Sequence, residues 1–432
     1  MKKRLILSVV VAALLLVTAA AAGSGYLKAF FPTGISVFEK NVKTEPITGK
    51  IGDWEITVLA SLTDDNGTYL NMSLKATGET AAKLSAMSSI HEVSEVIPDP
   101  LVYLEGEDEE LESWPESDWD TDSPEWKTNP VISCSTQVIY ENPENKPLVL
   151  KLGDFGSRDP YPGSITVPVD NQIGGIEREL NQRATTSGDP LDVNKEYSLE
   201  DRKRDIVVTK FSLTPLGLRL VYQDIEAPAE KVGNPDVWAS PETCIFFEMA
   251  DGKIYSFNHM LSQISHQDID RNKRIVSYSA IMREPKELSA FKSIIFGTTA
   301  YPLDGGKPYQ VKIDQKLMPF TVSCIEKTET ATNMLGNTYQ RHVIWYPVKE
   351  LCEKLGAGYS WDAEKKCATI TYLGETLTLP VGSTTIVTPG DPTENTVQAA
   401  LENGTLYASR DIIFALRICD GSMKEKVQVI YP

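Results

Sequence analysis

Histidine and closely spaced cysteines are scarce in this sequence, and both absences narrow its chemistry. The 432 residues include only four histidines and six cysteines, and no two cysteines stand in a C-x-x-C pair. This spacing argues against a zinc knuckle. No Gly-x-Ser-x-Gly, P-loop or dinucleotide-binding motif is present either. The sequence therefore lacks the usual signatures of hydrolases and nucleotide-binding enzymes.

Basic residues are also under-represented, since 42 Lys and Arg face 60 Asp and Glu for a net charge of −18. Phosphate neutralisation requires clustered Lys and Arg, so we expect no nucleic-acid partner and no broad adhesion to anionic membranes. Hydrophobic residues at 41% and charged residues at 24% are ordinary for a folded globular chain. The length predicts about two to four domains.

The first 22 residues are typical of an export signal. Three basic residues at positions 2–4 precede the uncharged stretch Leu5–Ala22, and small residues follow at 23–25. This pattern predicts a secretory signal peptide, although 18 apolar residues can also remain as a membrane anchor. Either outcome exports the rest of the chain, which touches the membrane only through residues 5–22 if they are uncleaved. We therefore expect an extracellular or cell-surface protein.

Export leaves the state of the six cysteines open, because an oxidising compartment permits disulfides but a chain of this length does not need them. The sequence does not choose between buried free thiols and disulfide pairs. Six cysteines allow 15 pairings, and spacing alone selects none of them.

Alternating hydrophobic patterns predict a mainly β protein. Residues 49–78 read as a β-hairpin, with alternation on both sides of the turn Asp64–Gly67. Further short strands extend this pattern, so we assign residues 36–175 to a β-sandwich domain. Residues 176–195 contain a polar run that we interpret as a linker. At least seven short strands within residues 190–325 predict a second, immunoglobulin-like β-sandwich.

The last part of the chain changes character. Val348, Leu351, Cys352 and Leu355 are spaced as one face of a helix, and Gly356 is placed to end it. A strand at 366–372 follows, and a related strand–helix–strand arrangement returns around residues 404–430. We therefore expect a small α+β domain over residues 338–432, built from two related halves.

Two stretches in this part carry a family resemblance. The segment 346–362, YPVKELCEKLGAGYSWD, is followed by CATITY at 367–372, and GTLYASRD at 404–411 opens the second half. In this order they resemble the copper amine oxidase N-terminal-like domain, also called the stalk domain. The second half departs from the family pattern after its helix, where ICDGSM at 418–423 replaces the expected Gly-Ala and Trp-Asp.

The stalk resemblance implies an exported, non-catalytic appendage rather than a copper site. Amine oxidase chemistry in that family needs a Tyr-derived quinone and three His ligands, two of them in His-x-His. This chain has no His-x-His, and copper requires convergent imidazoles. We therefore expect no enzyme activity and no cofactor.

Residues 36–325 resemble a second family more loosely. The stretch from Asn194 to Leu218, with FSLTPLGL at 211–218, is similar to the extracellular immunoglobulin-like domains of membrane-anchored anti-sigma factors. This resemblance implies a fold and a location outside the membrane. It does not imply sigma binding, because only Met1 to Arg4 precede the apolar stretch.

An acidic run at residues 105–125 is the most unusual local feature, with eleven acids and no base. We interpret it as a solvated loop inserted in the first sandwich. Asp118, Asp120 and Asp122 also form a weak calcium candidate, since alternating carboxylates suit Ca²⁺. An EF-hand starting at Asp118 fails at Ser123 and Asn129. Three tryptophans lie within or next to the run, and they can stack on sugars or a partner: Trp114, Trp119 and Trp126.

Three remaining motifs favour ordinary roles. His259 and His266 are spaced as one face of a helix, but they lack the third ligand of a metal site and are interpreted as surface residues. Ser289 and Lys292 match Ser-x-x-Lys without its companion motifs. Trp361 and Asp362 are interpreted as packing and turn residues.

These observations predict an exported protein of a Gram-positive-type cell envelope with a structural, binding or sensing role. The alternative is an accessory module for a surface enzyme or a wall polymer such as a glycan. The expected partner is an envelope protein or wall polymer whose identity the sequence does not give, because one fold serves many functions.

Overall fold

The computed structural model describes residues 41–87, 92–93, 95–118, 126–140, 145–154, 157–169, 173–188, 203–225, 239–332, 338–387, 394–424 and 427–432. Antiparallel strands dominate these residues, which confirms the mainly β class. The predicted export signal at 1–22 lies outside them. Within the described ranges, no helix has the length and hydrophobicity needed to cross a membrane.

The first β region contains two antiparallel sheets on one core. Trp54, Met72 and Ile132 on one sheet share an apolar cluster with Leu150 and Ile165 on the other. The sheet orders are β1-β2-β3-β6-β5 and β4-β7-β8. The elements are β1 (Ile47–Ile51), β2 (Trp54–Asp64), β3 (Gly67–Ala76), α1 (Gly78–Ala86), β4 (Asp99–Leu104), β5 (Ser113–Asp118), β6 (Val131–Ile139), β7 (Leu148–Gly153) and β8 (Ile165–Val167).

The second β region repeats this plan with larger side chains. Phe211, Tyr222 and Tyr278 pack with Phe247 and Phe296 between the sheets β12-β9-β10-β11-β16-β15 and β14-β13-β17-β18-β19. The elements are β9 (Ile176–Gly188), β10 (Lys203–Leu213), β11 (Gly217–Asp224), β12 (Ala239–Ser240), β13 (Ile245–Met249), β14 (Ile254–Ser256), α2 (Phe257–Met260), β15 (Leu261–Asp270), β16 (Ile275–Met282), β17 (Phe291–Phe296), β18 (Thr299–Pro302) and β19 (Tyr309–Gln310).

The C-terminal α+β region packs two helices against three small sheets, ordered β20-β30-β29, β21-β22-β28-β27-β26 and β23-β24-β25. Its elements are β20 (Phe320–Ser323), β21 (Ile325–Thr332), β22 (Thr338–Pro347), α3 (Val348–Leu355), β23 (Gly358–Asp362), β24 (Cys367–Tyr372), β25 (Glu375–Pro380), β26 (Gly382–Val387), β27 (Glu394–Glu402), β28 (Thr405–Ser409), α4 (Asp411–Ala415), β29 (Cys419–Lys424) and β30 (Val427–Tyr431).

The hairpin expected at 49–78 is confirmed, because β2 and β3 pair from Trp54↔Ala76 to Asp64↔Gly67. Helix α3 is also confirmed, and it buries the four residues that predicted it. It ends at Gly356 with φ 70°, a left-handed conformation that glycine adopts at little steric cost.

Three interpretations are corrected. The run 176–188 is not a linker, because it forms β9 and pairs with β10 along its length. The acidic run is not one continuous loop, because residues 113–118 form β5 on an edge of the first sheet. His259 and His266 do not share a helix, because α2 ends at Met260 and His266 lies on β15.

None of the six cysteines forms a disulfide, and all of them lie in the described part of the chain. Cys134, Cys244, Cys324 and Cys352 are buried among apolar side chains. The sequence left disulfides and buried thiols equally open, and the structure has no disulfide among these six residues.

Candidate functional site

We call the contact between the two β regions the first joint. Two tight turns form it, one from each region. The turn at Asp64–Gly67 meets the turn at Thr214–Gly217. The Asp64 carboxylate accepts the Leu216 backbone N–H at 3.0 Å, and the Asn66 amide donates to the Ser212 carbonyl at 3.2 Å. These bonds satisfy backbone groups that would otherwise be buried without a partner.

Apolar side chains fill the rest of the first joint. The cavity beside these turns measures only about 10 Å³, too little to hold a ligand. Burial raises the pKa of the Asp64 carboxyl to about 7, against hydrogen bonds from Thr214 and from the backbones of Asn66 and Leu216. The apolar residues that meet here are Ala60, Leu62, Tyr69, Ile173, Leu216 and Ile281.

The second joint is the contact between the second β region and the C-terminal region. It contains a cleft of about 730 Å³. Small-molecule pockets typically span about 300–1,000 Å³ and favour the boundary between domains. This cleft is therefore our candidate functional site.

Elements of both regions form the cleft walls. The second region contributes β14, α2 and the segment 283–290, and the C-terminal region contributes the β24–β25 hairpin and the end of α4. Strands β14 and β25 are the edge strands of their sheets among the described residues. Edge strands present backbone N–H and C=O groups that lack a neighbouring strand.

Aromatic rings bridge the two walls. The His259 imidazole stacks on Tyr255 at a centroid distance of 6.1 Å and meets the Tyr372 ring edge-on at 5.5 Å. Burial, together with the Arg417 and Arg283 cations, lowers the pKa of His259 to about 3. The imidazole is therefore neutral at physiological pH and acts as part of an aromatic surface.

Charged side chains surround these rings in equal numbers of each sign. The three bases are Arg283, Lys286 and Arg417, and the three acids are Asp251, Glu284 and Glu375. Lys286 donates to Glu284 at 3.1 Å within its own region. Asn258 adds a bond across the joint, donating to the Tyr431 carbonyl at 3.1 Å.

Arg417 is the most unusual residue of the cleft. It follows α4 with φ 56°, and the Ile418 N–H returns to the Ile413 carbonyl at 3.0 Å. Together with the Arg417 N–H bond to Phe414 at 2.9 Å, this is the Schellman arrangement that normally places glycine at the left-handed position. An arginine there carries a conformational cost.

The Arg417 guanidinium also lacks hydrogen-bond partners for its Nε and Nη2 donors among the described residues. Glu284 and Glu375 lie 3.6 Å and 3.7 Å from its Nη2, beyond hydrogen-bonding range. The side chain is only 13% exposed. Two donors of a largely buried cation in the cleft wall are therefore without a hydrogen bond among the described residues.

The weak calcium candidate lies mostly outside the described residues. Asp118 lies on β5, but its side chain is outside the description, and Asp120 and Asp122 lie outside the described residues. Across the described part of the chain, no three His, Cys, Asp or Glu side chains group in a way that could hold a metal ion. The calcium interpretation stays a prediction.

Trp126 is not an exposed stacking platform, because it is buried and donates to the Leu84 carbonyl at 3.1 Å. Trp119 and the side chain of Trp114 lie outside the description. Asp362 is confirmed as a turn residue, since its carboxylate accepts the backbone N–H groups of Glu364 and Lys365 at 3.0 Å each.

The Ser-x-x-Lys pair is engaged elsewhere. Ser289 donates to Glu287 at 3.2 Å, whereas Lys292 donates to Glu248 at 2.7 Å. His266 is exposed on β15, in contact with the Tyr278 ring. Of the candidate site residues considered from sequence, only His259 lies in the cleft, where it is half-buried rather than a surface residue.

Sequence reasoning missed Arg417 as a site residue, although one signal was present. The two halves of the C-terminal region end their helices in the same way, with Gly356 in one and Arg417 in the other. A large cation at a position where glycine is usual distinguishes the second half from the first.

Comparison with known proteins agrees with the C-terminal assignment. Residues 337–418 match the family model described as copper amine oxidase N-terminal domain. This domain is a non-catalytic part of those oxidases. The match confirms the resemblance predicted for this part of the chain. The resemblance of residues 36–325 to anti-sigma factor domains stays a prediction.

No curated protein matches the chain. Among solved structures, it is similar to one titled as a conserved domain protein from Bacillus anthracis, with 10% identity and a TM-score of 0.35. That similarity covers 71% of this chain and 90% of the other. A TM-score at this level supports no conclusion about function.

Proposed function

We propose that the protein is an exported cell-envelope protein with a non-catalytic binding role, and that it binds its ligand in the cleft of the second joint. The observation that carries this proposal is the cleft itself, about 730 Å³ between two regions. Its aromatic rings and charged groups suit an organic molecule better than a bare ion.

Two further features support the proposal. The N-terminal pattern of basic residues, apolar stretch and small residues is typical of export. The C-terminal half of the cleft lies within the match to a non-catalytic domain, because β24, β25, α4 and Arg417 all fall between residues 337 and 418. The described geometry therefore favours recognition by shape and charge.

A cleft-filling variant tests this function. Ala415 lines the cleft, so A415W is expected to occupy part of its volume. Ala82 is exposed on α1 in the first β region, which makes A82W a matched control. The full-length gene is expressed in a Gram-positive host, the cells are fractionated, and envelope-derived protein is analysed by native mass spectrometry.

We expect the protein in the envelope fraction, with a small molecule retained by wild type and A82W but lost from A415W. Equal retention in all three would place binding outside the cleft. A cytoplasmic protein, or an envelope protein that retains nothing, would contradict the proposal. Recovered N-terminal peptides would also show whether residues 1–22 are removed.

A further inference from the structure

The geometry points to a short peptide as the ligand of the cleft, held by its C-terminal carboxylate at Arg417 and along its backbone by an edge strand. This inference rests on the proposed function, because it assigns a ligand class to the same cleft. It follows from three features: the two guanidinium donors of Arg417 that lack a hydrogen bond, the balance of charge, and the two sheet edges.

Arg417 supplies the carboxylate site. Guanidinium groups bind carboxylates through two parallel N–H···O bonds, a geometry that a single point charge does not offer. Nε and Nη2 of Arg417 are the donors without a hydrogen-bond partner among the described residues, and they lie next to each other along one edge of the planar guanidinium. This edge can therefore donate to both oxygens of one carboxylate.

The acids beside Arg417 select against a simple anion. Glu284 and Glu375 lie within 4 Å of the same guanidinium, so a ligand carboxylate placed there also meets two like charges. Lys286 already engages Glu284, whereas the Glu375 side chain is 48% exposed on the rim. A ligand with both a carboxylate and an ammonium group matches this arrangement, since like charges that face each other are unfavourable.

The two edge strands explain how the body of such a ligand is held. Strand β25 carries Glu375, Thr376 and Leu377 along one wall, and β14 carries Tyr255 along the other. An extended peptide can add to a sheet edge through backbone hydrogen bonds while alternate side chains enter pockets. Aliphatic side chains of Ile370 and Leu377 and the Tyr372 ring provide the apolar contacts.

Size and polarity exclude two simpler ligands. A single amino acid would leave most of a cleft of about 730 Å³ empty. A fatty acid would place an alkyl chain against Asp251 and Glu375, which would lose solvation without gaining a partner. A short peptide with apolar side chains fills the volume. Its side chains contact the apolar residues of the cleft, and its backbone and charged ends contact the polar ones.

The test uses the full chain and two peptide pools. One pool holds apolar tripeptides with free carboxylates, and the other holds the same sequences with C-terminal amides. Peptides retained with the protein after ultrafiltration are identified by mass spectrometry, and the best binder is titrated by calorimetry. The variants are R417G and R417Q, with R271Q as a control because Arg271 is exposed on the second region away from the cleft.

We expect retention from the acid pool, and at least tenfold weaker binding of the matching amide. R417G and R417Q are expected to lose at least tenfold in affinity, while R271Q binds like wild type. R417G is expected to melt at or above the wild-type temperature, which separates lost binding from lost folding. Equal affinity for acid and amide, or wild-type affinity in R417G, would overturn the carboxylate site.

Failure of every peptide to bind would overturn the peptide assignment as a whole. The proposed function would survive that result if envelope-derived protein still carried another molecule that A415W displaces. It would fall with the peptide assignment only if no molecule occupied the cleft. The two experiments therefore distinguish a wrong ligand class from a wrong site.

Discussion

The two joints of this protein connect neighbouring regions in opposite ways. The first joint packs apolar side chains around two hydrogen-bonded turns and leaves about 10 Å³ of space. The second keeps a cleft of about 730 Å³ lined by aromatic and charged groups. Close packing stabilises a fixed arrangement, whereas an open, polar boundary leaves surface available for a ligand. The first joint is therefore a packed contact, whereas the second leaves the space on which the proposed binding role rests.

The largest expected effect comes from matched leucine truncations at the two joints. Leu216 is 3% exposed in the first joint, and Leu373 is 43% exposed at the second. L216A is expected to lower the free energy of unfolding by about 2–5 kcal/mol, because it leaves a cavity in a packed site. L373A is expected to change it by less than about 0.5 kcal/mol. Scanning calorimetry of the full chain measures both. Equal losses would show that the two joints are packed alike.

The next effect concerns the pH dependence of the first joint. The folded pKa of Asp64, about 7, lies above the ordinary 3.8, so the folded state holds this proton more tightly. The resulting stabilisation is complete below pH 3.8, and it is lost as the pH rises from there through about 7. The loss amounts to roughly 4 kcal/mol.

Comparison of D64N with D65N isolates this carboxyl group. Urea unfolding between pH 4 and 8 is expected to show the downward slope in wild type and D65N, and a flatter profile in D64N. An unchanged slope in D64N would assign the pH dependence to other groups.

A smaller effect of opposite sign is expected at the second joint. R417G removes a side chain from a left-handed position where glycine is preferred. The free energy of unfolding is expected to rise by about 0.5–1 kcal/mol. R410Q is the control, because Arg410 precedes α4 and pairs with Asp420 at 2.7 Å; its loss is not expected to stabilise. A clear loss of stability in R417G would give Arg417 a structural role.

The smallest expected effect is a change in the protonation of His259. Its imidazole, with a pKa of about 3, is expected to stay neutral between pH 5 and 8 in a proton–nitrogen NMR titration. In R417G the pKa is expected to rise, because a neighbouring cation is removed, but to stay below 6.5 because burial is the larger cause. The same titration in R271Q should reproduce wild type. A shift of the His259 pKa in R271Q would mean that the shift in R417G does not report the loss of the neighbouring cation.

Local pattern predicted most of the strands and both helices of the C-terminal region. Alternation around Asp64–Gly67 was sufficient for β2 and β3, and the 3–4 residue spacing up to Leu355 was sufficient for α3. The polar run in 176–188 was misread as a linker. It is strand β9, and its partner β10 lies further along the chain. Composition alone does not show that a polar strand has such a partner.

The cleft could not be predicted from sequence for a similar reason. Its walls come from segments more than a hundred residues apart, such as Tyr255 and Tyr372. Each segment taken alone resembles an ordinary turn or strand. The turn at Asp64–Gly67 was predicted as a turn, but its contacts with Leu216 and Ser212 depend on how two regions dock. Sequence pattern reports local geometry and leaves such docking undefined.

Strand β9 also has a mechanical consequence. It begins directly after the first joint, and ten residue pairs connect it to β10, from Ile176↔Leu213 to Ser187↔Lys203. A pulling force applied at Gly175 along the strand axis loads these pairs in shear, because they must yield together rather than one after another. Tension that enters from the first β region is therefore shared along the whole strand, and the second region resists extension at its point of entry.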